Sequence, residues 1–212
     1  MKKTRIAALV SGSGTNLQAL IDAQLRGELG GGEIVAVISS KPGAYALERG
    51  NKVGIPGYVL DRKSFLDNRS MTVALVEKLK QLRIDLVVLA GCMVIFTNEL
   101  VEAYPNAVIN VHPALIPSFC GPGFYGLHVH EKALAYGVKL SGATVHFVNE
   151  EGDGGPIIAQ KSVEVKWDDT PETLQKRIME QAEWKILPEA VSLFCQGRLC
   201  VSGRTVIVDK EN

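Results

Sequence analysis

Two stretches of the sequence pair residue types able to do acid–base chemistry with a backbone able to present them. Asn110-Val111-His112-Pro113 closes an apolar run. Side chains alternate along an extended chain, so Asn110 and His112 share one face, one pleat apart. An imidazole moves protons near neutrality, and a neighbouring amide can hydrogen-bond a developing oxyanion. The same residues also suit a core histidine beside an asparagine that caps a turn. Asp153 lies in Glu150-Glu151-Gly152-Asp153-Gly154-Gly155-Pro156. A hairpin loop accounts for that composition, and so does a carboxylate set among glycines to approach a ligand and orient an imidazolium. Spacing alone does not join Asp153 to His112.

A third stretch, Ser11-Gly12-Ser13-Gly14-Thr15-Asn16, follows an apolar run and opens a helical pattern. Such a turn aims backbone N–H groups and a helix N-terminus at a ligand, and the short side chains add donors suited to phosphate. A plain strand-to-helix turn is the alternative. A dinucleotide fingerprint fails because Leu17 stands at its third glycine position and Ser39-Ser40-Lys41, without an acid, closes the second strand. A Walker loop fails for want of Gly-Lys-Ser/Thr. From Ala103 to His130 no residue is formally charged, while prolines and glycines forbid a long helix; this segment either covers a cleft or is pinned on the core. His128 and His130 lack the further ligands of a zinc site. His146 falls inside a strand pattern, which assigns it a structural place.

The elements that must position these residues alternate. Ile6–Ser11, Glu33–Ser39, Tyr58–Leu60 and Asp85–Gly91 read as strands, nearly continuous in Val, Ile and Leu as in a sheet covered on both faces. Helix patterns over Thr15–Gly27, Ala44–Lys52 and Ser70–Leu82 separate them, so the order is that of a parallel sheet flanked by helices. Ala107–Val111 continues the sheet, and Ser141–Asn149 with Ile157–Lys166 reads as an antiparallel hairpin. A long helix runs from a Thr170 cap and Pro171 to Gly197, kinked at Pro188, and Thr205–Val208 is a terminal strand. The fold class is therefore α/β: a Rossmann-like, mostly parallel sheet with helices on both faces, a C-terminal antiparallel hairpin and a long helix. One domain is expected over 1–212, with a nucleotide-phosphate half over about 1–105 and a catalytic half over about 106–212.

Of the 212 residues 46% are hydrophobic and 22% charged, which excludes disorder. Lys plus Arg and Asp plus Glu both number 23, so no basic field collects nucleic acid. The uncharged run Leu86–Asn98 is shorter than the ~20 residues of a membrane span, and the four cysteines include no C-x-x-C pair. A cytoplasmic protein with reduced thiols and no membrane or nucleic-acid partner is expected.

SGSGTNLQAL, AGCM, NVHPALIPSF, SGATVHFV and DGGPIIAQ, in that order, resemble the glycinamide ribonucleotide transformylase family (phosphoribosylglycinamide formyltransferases) from about residue 5 to about residue 200. The resemblance implies formyl transfer from 10-formyltetrahydrofolate, a co-substrate, to glycinamide ribonucleotide in purine biosynthesis, with no metal. It implies a catalytic trio of Asn110, His112 and Asp153, in which Asp153 raises the pKa of His112. Ser13, Gly14, Thr15 and Asn16 would hold the ribonucleotide phosphate, and Glu183 the ribose. Arg69, Met93, Val94, Ile95, Asn110, Val148 and Asp153 would meet the folate, Arg69 at its glutamate tail. Val94 stands where some relatives carry Arg, and the loop after Pro117 is longer than in some. The rival readings are a formyltetrahydrofolate hydrolase, whose family adds an N-terminal regulatory domain, a methionyl-tRNA formyltransferase, which adds a C-terminal RNA-binding domain, and a non-catalytic nucleotide- or folate-binding module. Monomer and homodimer both stay open.

Overall fold

The computed structural model describes residues 3–209; the remaining ends of the 1–212 unit lie outside the described residues. Strands β1 (Thr4–Val10), β2 (Gly32–Ser39), β3 (Gly57–Val59), β4 (Leu86–Leu89) and β5 (Val108–His112) alternate with helices α1 (Thr15–Leu25), α2 (Tyr45–Lys52), α3 (Asn68–Gln81) and α4 (Asn98–Ala103). Helix α5 (Leu127–Tyr136) leads into β6 (Leu140–Phe147) and β7 (Ile157–Glu164), then α6 (Pro171–Ile178), α7 (Trp184–Cys195), β8 (Leu199–Ser202) and β9 (Thr205–Val208). One nine-stranded sheet holds them in the order β3-β2-β1-β4-β5-β6-β7-β9-β8. The first five strands are parallel, and β6 and β7 add the expected antiparallel hairpin.

The order reverses between β1 and β4, and a doubly wound sheet opens its ligand crevice at that point, beyond the strand C-termini. The loops leaving β1 and β4 flank it. Alternation along β1 sends Ile6, Ala8 and Val10 into a core with α1, α6 and α7, and Ala7 and Leu9 into a second core with α3 and α4. On β5, Ile109 and Val111 join the first core and Val108 the second. Asn110 and His112 therefore project on the α3–α4 side, past the last apolar residue that those helices cover.

Local signals match their elements. Asp67 and Ser70 form a reciprocal capping box at the start of α3, as Thr170 and Thr173 do at α6. The single long helix expected from Pro171 to Gly197 is instead three pieces, because a π turn over Met179–Glu183 divides α6 from α7. Pro188 sits within α7, where its missing N–H leaves the carbonyl one turn earlier without its usual donor. Helix α5 arises inside the uncharged segment once its prolines end, and β8 extends the sheet edge; neither was anticipated.

Gly155 seals the β6–β7 turn, since a Cβ there would lie 1.7 Å from the Phe147 carbonyl oxygen. Gly155→Ala is expected to cost about 1–3 kcal/mol through that overlap. Urea unfolding measures it, and a midpoint equal to the parent protein's would show that the turn yields freely.

Candidate active site

The antiparallel register of β5 on β6 sets Asn110 opposite His146 and His112 opposite Thr144. The turn after β6 then returns Asp153 to the same place, with φ +56 in the left-handed region that a non-glycine residue occupies only under constraint. Its Oδ2 lies 3.5 Å from His112 Nδ1, and its Oδ1 lies 3.6 Å from His146 Nε2. Asn110 Nδ2 donates to Asp153 Oδ1 at 3.3 Å and meets His146 Nε2 at 3.2 Å. Asp153, which spacing alone does not join to Asn110 and His112, thus converges on them, with His146 as a fourth. His146 was assigned a structural place; the signal that could have found it is its alternation with Thr144 on a strand paired with β5.

Hydrogen bonding sets the proton positions. A carbonyl oxygen only accepts, so His146 Nδ1, 2.8 Å from the Phe147 oxygen, carries a proton, and Nε2 faces the Asn110 amide. His112 Nε2 likewise donates to the Phe119 oxygen at 2.8 Å, which leaves Nδ1 as the basic nitrogen facing Asp153. The uncharged segment covers the group: Gly121 N–H donates to Asp153 Oδ2 at 3.0 Å. The Phe119 ring rests against Phe124 and Tyr136.

His112 is 4% exposed. Burial is the largest influence on it and holds its pKa below the usual imidazole value; the Asp153 charge and the Phe119 carbonyl pull upward, and His146 adds to the depression. Asp153 raises the His112 pKa as expected, but desolvation outweighs it and the net shift is downward. Burial alone would raise the pKa of Asp153, yet His146, the His112 charge and the Gly121 N–H together hold it below the carboxylate range.

The loop after β1 forms the second part. Gly14 caps α1 at φ +72, and a Cβ on it would lie 2.5 Å from the Cβ of Ala46. Asn16 turns inward and donates from Nδ2 to Glu183 Oε2 at 2.6 Å, while its Oδ1 is buried without a partner among the described residues. Thr15 Oγ1 reaches the Met179 sulfur at 3.8 Å. Ser13 is exposed, and its carbonyl accepts from Arg49. Glu183, on the π turn, is pushed up to about 7 by burial, partly offset by the Asn16 amide.

Between these two parts, the backbone N–H of Met93 donates to Ser11 Oγ at 2.8 Å, leaving the Met93 and Ile95 side chains 51% and 74% exposed. Val94 lies between them, half-buried. Val148 is also half-buried, tied by its N–H to the Val108 oxygen. Arg69 stands apart from the trio, its Nε 2.6 Å from Glu99 Oε1.

The model of the family described as "Formyl transferase" matches residues 4–191. Over 209 residues the chain is 40% identical to the phosphoribosylglycinamide formyltransferase of Haemophilus influenzae, covering 99% of this chain and 94% of that protein. It is 41% identical to part of the trifunctional purine biosynthetic protein adenosine-3 of Bos taurus, spanning 99% of this chain but only 20% of that protein. The crystal structure of glycinamide ribonucleotide transformylase 1 from Symbiobacterium toebii superimposes with a TM-score of 0.92 at 41% identity, covering 98% of this chain and 94% of that one.

The raised Glu183 pKa has a stability consequence. The folded state holds the Glu183 proton more tightly than the unfolded chain does, so its contribution is complete below the ordinary value of 4.5 and is lost as pH rises through about 7. Glu183→Gln does not titrate, so its stability relative to the parent should rise across that window, on the order of 3 kcal/mol in total. Chemical denaturation at both ends of the window checks this; a difference independent of pH would mean that Glu183 is already ionised in the fold.

Proposed function

The chain belongs to the formyl transferase family, and on that premise we propose that it transfers the formyl group of 10-formyltetrahydrofolate to the amine of glycinamide ribonucleotide, a step of purine biosynthesis. One observation carries the mechanism. His112 Nε2–H already donates to a carbonyl oxygen, that of Phe119, beside a half-buried carboxylate. The formyl oxygen takes that place when the covering loop withdraws.

The amine attacks the formyl carbon, and its oxygen gains charge in a tetrahedral intermediate. His112 donates to that oxygen, and Asn110 supplies a second donor by turning one N–H from its 3.3 Å contact with Asp153; one such donor is worth about 10²–10³ in rate. The C–N bond to the folate then breaks, and a proton from the attacking nitrogen passes through His112, directly or by water, to the departing nitrogen. Asp153 favours the transient imidazolium. The acceptor amine becomes a formamide, and tetrahydrofolate leaves.

The bound partners lie on either side of this group. Ser13, Gly14, Thr15 and Asn16 hold the phosphate with the free N–H groups of α1, and Glu183 holds the ribose. Met93, Val94, Ile95 and Val148 flank the pterin, together with Asn110 and Asp153. Arg69 exchanges Glu99 for the glutamate tail. The four free cysteines support a reducing, cytoplasmic setting.

A formyl-transfer assay tests the reading. Tetrahydrofolate release stimulated by glycinamide ribonucleotide is expected. Acceptor-independent release would select the hydrolase, and binding without turnover a non-catalytic module. The pH profile tests Asp153. The rate falls as pH drops through the His112 pKa, because the proton-accepting form is lost. Asp153 raises that pKa, so Asp153→Asn should move the acid limb of kcat/KM to lower pH while kcat drops about 10²–10³-fold. An unmoved limb with full activity would remove Asp153 from the chemistry.

A further inference from the structure

The loop Ser11–Asn16 contains no charged residue, whereas a phosphomonoester carries about −1.5 to −2 charges near neutrality. The α1 N-terminus offsets only about half a charge. We propose that Arg49 is the missing cation: a positioning residue that fixes the loop's geometry and lends the acceptor's phosphate its countercharge. This rests on the reading of residues 13–16 as the phosphate loop.

Arg49 stands on α2, whose first turn presses against the loop at Gly14. Its Nε–H donates to the Ser13 carbonyl at 2.8 Å, and Nη1 donates to Gln18 Oε1 at 2.9 Å. One guanidinium therefore ties the loop to the first turn of α1. A guanidinium has five N–H groups, and those two bonds leave the others without an acceptor among the described residues. The group lies over the Tyr45 ring, 5.0 Å from its centroid, which holds it in one orientation.

Arg49 and Thr15 line one open cleft, with Trp184 beside them, of about 260 Å³. The buried Trp184 Nε1–H has no partner among the described residues. Two other cations nearby are engaged. Arg26, at the same cleft, is paired with Glu28 at 2.7 Å, and Lys52 is held on the Tyr45 hydroxyl at 3.2 Å. Asp22 also lines the cleft, but its carboxylate accepts from Gln18 Nε2 at 2.8 Å, and Gln18 in turn accepts from Arg49. The chain Asp22–Gln18–Arg49 orders the guanidinium without a direct carboxylate contact.

Steady-state kinetics on Arg49→Met and Arg49→Lys, with glycinamide ribonucleotide and with its phosphate-free riboside, test the assignment. Arg49→Met should raise the KM for the ribonucleotide about 10- to 100-fold, leaving kcat, the folate KM and the KM for the riboside within about twofold. Arg49→Lys, which keeps the charge without the fork, should recover part of the loss. An unmoved ribonucleotide KM in Arg49→Met, or an equal rise for both acceptors, would overturn the proposal while leaving formyl transfer intact. A parent protein that formylates neither acceptor would overturn the underlying reading, and this proposal with it.

Discussion

A single carboxylate ties the site together. Asp153 meets His112 and Asn110 from β5, His146 from β6 and the Gly121 N–H from the covering segment. The strand residues are neighbours by register, so they would stand side by side without it. The carboxylate has to be delivered by a turn tight enough to bring the chain straight back after β6. Glycine at 155 and a left-handed Asp153 are what that return requires. Even a half-buried carboxylate is costly unless it is hydrogen-bonded or paired, and the Asn110 amide and the Gly121 N–H, which donate to it, supply that compensation. Because one of those contacts belongs to the covering segment, the state of the cover and the state of the Asn110–His112–Asp153 group are one equilibrium.

Much of this was legible in the chain. The Val- and Ile-rich runs marked a sheet covered on both faces, and alternation placed Asn110 and His112 together without any tertiary information. His146 was not legible, because the same alternation in an isolated strand fits a core residue equally well; only the β5–β6 register makes it a neighbour of Asn110. Helix α5 was hidden by the prolines and glycines just before it. The π turn was hidden by a regular apolar stripe through Leu174, Ile178, Ala182 and Ile186, all of which do face the core. The sign of the His112 shift was also out of reach, since it is decided by how completely the covering loop excludes water.

The π turn has a consequence for the other half of the site. It carries Glu183 inward to Asn16, joining the end of the chain to the first loop by a 2.6 Å bond between residues 167 positions apart. The acid and the amide proposed to meet ribose and phosphate are thereby one unit, set on α1 and on the π turn that leads into α7 rather than on loops. A site built on packed helices holds its geometry better than one built on loops. The covering segment stands in contrast, because its contacts with the catalytic group run through the Phe119 carbonyl and the Gly121 amide, which a substrate can replace.

The central claim is that, in the free protein, His112 is neutral, protonated on Nε2, and turns its basic Nδ1 toward Asp153. Nitrogen-15 NMR of histidine-labelled protein, titrated from about pH 5 to about pH 8, reads tautomer and pKa together. The account predicts an Nε2–H ring at neutrality that titrates below the ordinary imidazole value of 6.5. An Nδ1–H tautomer, or a ring still charged at neutral pH, would contradict it.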